Sequence, residues 1–267
     1  MLDYEREQLR RIALSFYINI VRIRNLVTFS SKVLAGKTPL EEFDLQWELE
    51  AYLDNVLRVA VVFLHAALED ALREIVRLKL REQSGQVLDD IPLVGTSSAN
   101  RPTKFALGRL SEHRGKTIDE VIQESVDKYL DKTSFNSTDD IAGTFEKKIE
   151  VDLSDLRRYF TSLDEMIQRR HQIVHTVDRP RFASFQAHID VSNVRDWTAT
   201  VVDFVAEVIT KVFPPEDSHE ARKCADKDPG RALHGLALEL AQQLEEPNLV
   251  KALEELGLGP RQPNNST

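Results

Sequence analysis

The stretch Trp47-Glu-Leu-Glu-Ala-Tyr-Leu-Asp-Asn-Val-Leu-Arg-Val-Ala-Val-Val-Phe-Leu-His-Ala-Ala-Leu-Glu-Asp-Ala-Leu-Arg73 decides the fold class. Leu49, Leu53, Val56, Leu57, Ala60, Phe63, Leu64, Ala67, Leu68 and Leu72 recur at three- and four-residue steps, the spacing of one helix face. No Gly or Pro interrupts them. The period predicts a helix from about Asp44 to Gln83. Its middle is apolar on nearly all sides, so it is expected at the centre of a bundle. Trp47 and Trp197 fall on apolar stripes and are expected in the core.

Working outward, the same period fills the chain. Leu9, Ile12, Phe16, Ile20, Ile23 and Val27 mark a helix over about 2–34, stopped by Gly36 and Pro39. Residues 84–103 carry Gly85, Pro92, Gly95 and Pro102 and predict a loop. Helices are expected at about 103–112, 117–131 and, after Asn136-Ser137-Thr138, at 138–148. Two stronger ones follow at 153–176 and 191–213, the second closed by Pro214-Pro215. Beyond it the chain turns polar, with short helices at 231–245 and 248–256 and a disordered end at 262–267. No internal repeat or period-two run competes. The expectation is an all-α, up-and-down helical bundle over 1–213 with a small helical C-terminal appendage over 214–267.

Composition narrows the function classes. A hydrophobic fraction of 42% and a charged fraction of 30% are those of an ordinary folded protein. Cys224 is the single cysteine, so neither an internal disulfide nor a thiolate zinc cluster can form, and a cytoplasmic setting is expected. The N-terminal Met1-Leu-Asp-Tyr-Glu-Arg-Glu-Gln lacks the pattern of a secretory leader. The longest apolar run, Val59 to Leu68, is interrupted by His65 and is shorter than the roughly 20 residues that cross a bilayer, so no membrane partner is expected. A net charge of -9 opposes general adhesion to polyanions. Locally the balance reverses: between Asp155 and Phe182 six arginines face four carboxylates. A polyanion is expected there first.

That window holds Glu165-Met-Ile-Gln-Arg-Arg-His-Gln-Ile-Val-His175, which gathers cations and imidazoles near a predicted helix end. At about 100° per residue, His171 and His175 lie about 40° apart, whereas Arg170 and His175 are about 140° and about 7.5 Å of rise apart. Arg is a permanent planar cation that clamps phosphate through two hydrogen bonds. His, with an ordinary pKa of about 6.5, gives or takes a proton at neutral pH. Together they suffice for cleavage of RNA through its own 2′-hydroxyl, which is deprotonated and attacks the adjacent phosphate while Arg holds the developing charge. That reaction needs no metal, no cofactor and no protein nucleophile.

Arg170-His171-Gln172-Ile173-Val174-His175 resembles the HEPN signature, an Arg, a polar residue, three further residues and a His near the end of a helix. The segment Phe63-Leu-His-Ala-Ala-Leu-Glu-Asp-Ala-Leu-Arg73 is similar to the early helix of the branch grouped with RiboL-PSP-associated HEPN proteins. The resemblance covers about residues 45–213. It implies a homodimer in which two motifs face each other across a cleft, forming a composite site that cuts an RNA substrate to a cyclic phosphate and a 5′-hydroxyl. It also implies a toxin or antiviral defence setting, with an antitoxin or defence-system partner protein. Carried over, Arg170 holds the phosphate, His175 is the general acid or base, and His171 orients them. In one subgroup a Tyr two residues after the His is modified; Val177 stands there in this chain.

Around this core, Arg169, Arg179 and Arg181 are expected to contact the RNA backbone, and Glu69 to support the catalytic groups from the second long helix. Plainer readings stand beside these. His171 and His175 at i and i+4 can ligate a metal only with a third ligand, and no neighbouring pattern supplies one. A cationic helix end is favoured by the macrodipole alone, which explains the charge but not two histidines. Glu69, Asp70 and Arg73 also read as a solvated i,i+4 face, and His65 as a core histidine. The competing function is a non-catalytic interaction or RNA-binding module on the same fold.

Overall fold

The computed structural model describes residues 3–36, 46–81, 83, 86–94, 111, 113–176, 178, 187–214 and 229–256. Among the described residues the chain is all-helical, with no strand. In chain order the helices are α1 (Asp3–Leu34), α2 (Gln46–Leu80), α3 (Gln86–Asp89), α4 (Ile118–Leu130), α5 (Thr138–Lys148), a 3-10 turn (Ser154–Tyr159), α6 (Phe160–Thr176), α7 (Val191–Val212), α8 (Pro229–Gln243) and α9 (Pro247–Leu256). The helix expected at about 103–112 and the end at 262–267 fall, Ser111 apart, outside the described residues. The loop expected over 84–103 contains the one-turn α3.

The chain forms two compact units, Met1–Leu72 with Ser154–Thr267 and, between them in sequence, Arg73–Leu153. In the first, Phe16, Tyr17, Ile20 and Ile23 of α1 and Val201, Phe204, Val205 and Val208 of α7 are buried. α8 packs on both α1 and α7. Leu233, Ala237, Leu240 and Ala241 line its buried side, and the Tyr17 hydroxyl donates to the Gly230 carbonyl at 3.0 Å. The Tyr17 and His234 rings meet edge to face at 5.4 Å. The C-terminal helices therefore contribute to the core of this unit.

The second unit is built on the last turns of α2 with α4 and α5. Thr117 and Glu120 close a reciprocal capping box at the start of α4, and Ser137 caps α5. Both caps satisfy backbone N–H groups that a first helical turn leaves open. Arg77 donates to Asp127 at 2.8 Å and also pairs with Glu74. Arg73 donates to the Leu130 carbonyl at 3.2 Å and lies over the Phe135 ring.

Two expectations need correction. Trp197 is buried at 8% exposure, but Trp47 is 63% exposed. On α2 it lies about 100° round from the buried stripe of Leu53, Leu57, Leu64 and Leu68 at 100° per residue, so three- and four-residue steps alone placed it on the wrong face. Tyr52, Val59 and Phe63 are likewise 44–48% exposed, so the middle of α2 is apolar all round while only one side is covered. Tyr4–Leu34 and Trp47–Leu80 are, by length and mean hydropathy, long and apolar enough to cross a bilayer. Neither holds an uninterrupted apolar run of that length; their apolar residues are spread along the helix among charged ones. Their most apolar windows are 44% and 50% buried inside the protein.

Candidate active site on helix α6

α6 is anchored at its start. The 3-10 turn that leads into it carries Arg158 and Tyr159, both bonded to Glu207 of α7, Tyr159 at 2.5 Å. Burial, then the Glu207 hydrogen bond, push the Tyr159 hydroxyl up to about 12. The Glu207 hydrogen bond foremost, and then Tyr159, raise Arg158 above the usual guanidinium range. Tyr159 and Phe160 both meet Phe204 edge to face, at 6.0 and 6.4 Å. Leu163, Met166 and Ile167 bury the inner side of the helix.

The far end is anchored by a different device. Asp178, two residues past α6, is buried with a left-handed backbone, φ 57°. Its carboxylate accepts from Arg58 Nε of α2 and from Arg169 of α6, both at 2.8 Å. Its N–H donates to the Gln172 carbonyl, and its own carbonyl accepts from the Ala187 N–H. Arg169 donates also to the Ala187 and His188 carbonyls, and Arg58 to Ala187 at 2.6 Å. Asp54 stands 3.8 Å from Arg58 and 3.1 Å from His188. Two guanidinium groups and two carboxylates thus balance one another around the segment that follows the motif.

Between these anchors lies the motif. His171 and His175 are exposed and their rings lie side by side, centroids 4.3 Å apart at 41°. Arg170 comes off α6 in register with Leu163 and Ile167, half-buried, with Nε enclosed and no hydrogen-bond partner among the described residues. Val174, between the histidines, is 48% exposed. The adjacent arginines, indistinguishable in sequence, therefore differ. Arg169, expected among the substrate contacts, has its guanidinium engaged within the protein; Arg170 Nε has no hydrogen-bond partner among the described residues.

Of the other expected site residues, Glu69 lies on α2 with its carboxylate 3.9 Å from His65 Nδ1, one turn away. Arg179 and Arg181 lie outside the described residues. His65 is buried, as a core histidine would be. Among the described residues no three His, Cys, Asp or Glu side chains gather as metal ligands would. A shallow cavity of about 290 Å³ runs beside α6, lined by Glu165, Gln168, Arg169, Gln172, Asn193 and Trp197 among others. Gln168 and Gln172 each precede a motif histidine by three residues, so this cavity adjoins the imidazole face. Sequence reading missed Arg58 and Asp178: their partnership spans 120 positions, and alone Arg58 looks like an ordinary helix-face charge and Asp178 like part of the break after α6.

The RiboL-PSP-HEPN family model matches residues 17–212. The chain belongs to the RiboL-PSP-HEPN family. The match takes in all of α2, α6 and α7, and with them the motif, the Glu207 anchor and the Asp178 clasp. It begins within α1 and ends before α8, so the C-terminal helices lie outside the part of this HEPN chain that the family shares. No curated protein and no solved structure matches the chain.

Proposed function

We propose that this HEPN protein is an endoribonuclease that needs no metal ion, with Arg170, His171 and His175 as its catalytic residues. The observation that carries the reading is the contrast at the end of α6: two exposed imidazoles in ring contact follow directly on Arg170, whose enclosed Nε has no hydrogen-bond partner among the described residues. The macrodipole accounts for cations at this helix end but not for two imidazoles in ring contact beside them. Family membership supports the same chemistry, since HEPN domains are often ribonucleases.

In this mechanism Arg170 binds the scissile phosphate through its guanidinium edge and stabilises the charge that develops on it. His175 withdraws the 2′-hydroxyl proton or delivers one to the leaving 5′-oxygen, and His171 orients it through the ring contact. The O2′–P bond forms as the P–O5′ bond breaks, leaving a cyclic phosphate and a 5′-hydroxyl. The polar cavity of Gln168, Gln172 and Asn193 offers hydrogen-bonding groups to neighbouring nucleotides. The active form is a homodimer in which two motifs share one cleft, and exposed Val174 gives that face apolar area. Toxin or defence action on cellular RNA, restrained by a partner protein in the cytoplasm, is the setting this chemistry suits.

The test is cleavage of a mixed RNA in EDTA by wild type, Arg170→Ala and His175→Ala. Cleavage by the wild type and its loss in both variants is expected. Cleavage that persists in both removes the motif from the mechanism. Absence of cleavage with wild type favours a non-catalytic module.

A further inference from the structure

We propose that Asp178 is a positioning residue for the motif, acting through Arg169 and the last turn of α6. This rests on the nuclease reading above and adds to it a residue outside the motif. One side chain and its backbone tie three segments: Arg58 of α2, Arg169 and Gln172 of α6, and Ala187 in the segment leading to α7. The carboxylate is almost wholly enclosed, its side chain 1% exposed, against 7% for Arg58 and 18% for Arg169.

The backbone shows how tightly the position is determined. A φ of 57° is a left-handed conformation that L-residues other than Asn and Asp seldom adopt. Such a backbone persists where surrounding bonds over-determine it, and these sites cluster where geometry matters to function. His175 lies three residues before this point. The last turn of a helix has carbonyls with no partner of their own and frays without one. Here the Gln172 carbonyl accepts from the Asp178 N–H at 3.0 Å and from Thr176 Oγ1 at 2.7 Å.

The clasp also sorts the two arginines. Asp178 with the Ala187 and His188 carbonyls takes up Arg169, so of the two adjacent arginines Arg170 is the one left for substrate. Without the carboxylate, Arg169 is released beside Arg170 and the last turn of α6 loosens. Phosphate is then still attracted, but it is no longer held in line with His175. The loss falls on the chemical step more than on binding.

The experiment compares wild type with Asp178→Asn, which keeps the side-chain size and tolerance of a left-handed backbone, in steady-state cleavage of an RNA oligonucleotide. Circular dichroism fixes a temperature at which the variant is folded. The expected result is a fall in kcat of about tenfold or more with KM changed by less than about threefold. A folded variant with kcat within about twofold of wild type, or a loss that only follows the unfolded fraction, overturns the proposal. If Asp178→Asn does not fold, Arg169→Gln is measured in its place against the same two limits. If wild type cleaves no RNA, the nuclease reading fails and NMR decides the clasp separately. The Arg170 Nε–H and the His171 and His175 ring resonances are expected to shift in the variant, and unchanged resonances overturn the positioning role.

Discussion

At the scale of single residues, the motif divides neighbours that sequence cannot tell apart. Arg169 is taken up by Asp178 and two carbonyls, while Arg170 Nε has no hydrogen-bond partner among the described residues. Removing one member of a buried ionic cluster strands its partners. Asp178→Asn is expected to destabilise the protein by about 3–5 kcal/mol, seen as a lower midpoint in urea. A midpoint unchanged from wild type would mean that the cluster contributes nothing to the fold. Arg170→Ala is expected to cost less stability than Asp178→Asn, about 1 kcal/mol or less, while lowering cleavage about 100-fold or more. The residue types of the site were legible in sequence because Arg and His on a helix end carry a recognisable chemistry. Arg58 and Asp178 were not, because what makes them important is a bond across 120 residues. Trp47 was misplaced because period alone does not tell which apolar side of a helix is covered.

At the scale of elements, α6 is held at both ends by polar groups and along its length by apolar ones. At its start, Tyr159 rests on Glu207 with its hydroxyl pushed up to about 12. Because the folded state favours the neutral phenol, this contribution is present below the unfolded value of about 10 and is lost as pH rises through the folded one. A tyrosinate absorbance titration should therefore show one late-titrating group that Tyr159→Phe removes. In the opposite range, Glu120 in the α4 capping box and Asp190 capping α7 are both held below the usual carboxylate range, first by backbone N–H groups of Thr117 and Ser192. Their help is present above the unfolded values near 4 and is lost as pH falls through the folded ones. Thermal midpoints should fall below about pH 4, less steeply in an Asp190→Asn, Glu120→Gln double variant; parallel slopes would exclude the caps as the cause. The Ser137 cap was legible because capping is local chemistry. The helices of α1, α2 and α7 were legible for the same reason, their period being written in consecutive residues.

At the scale of the whole molecule, the C-terminal helices belong physically to the core of the first unit although the family match ends before them. Deleting residues from 229 onward uncovers the sides of α1 and α7 that α8 buries and breaks the Tyr17 bond to Gly230. The truncated chain is expected to melt earlier and to bind a hydrophobic dye; an unchanged melt would make α8 and α9 dispensable. Their place was not legible because a short amphipathic helix after a polar stretch reads equally as an appendage or as a returning core element, and long-range packing decides between them. The all-α class needed no such knowledge. The central claim concerns chemistry, and the most direct measurement is the identity of the ends left on a cleaved RNA oligonucleotide in EDTA. A cyclic phosphate and a 5′-hydroxyl, with no cleavage where the scissile nucleotide is 2′-deoxy, are predicted. A 5′-phosphate end, or equal cleavage of the deoxy substrate, would contradict attack by the 2′-hydroxyl.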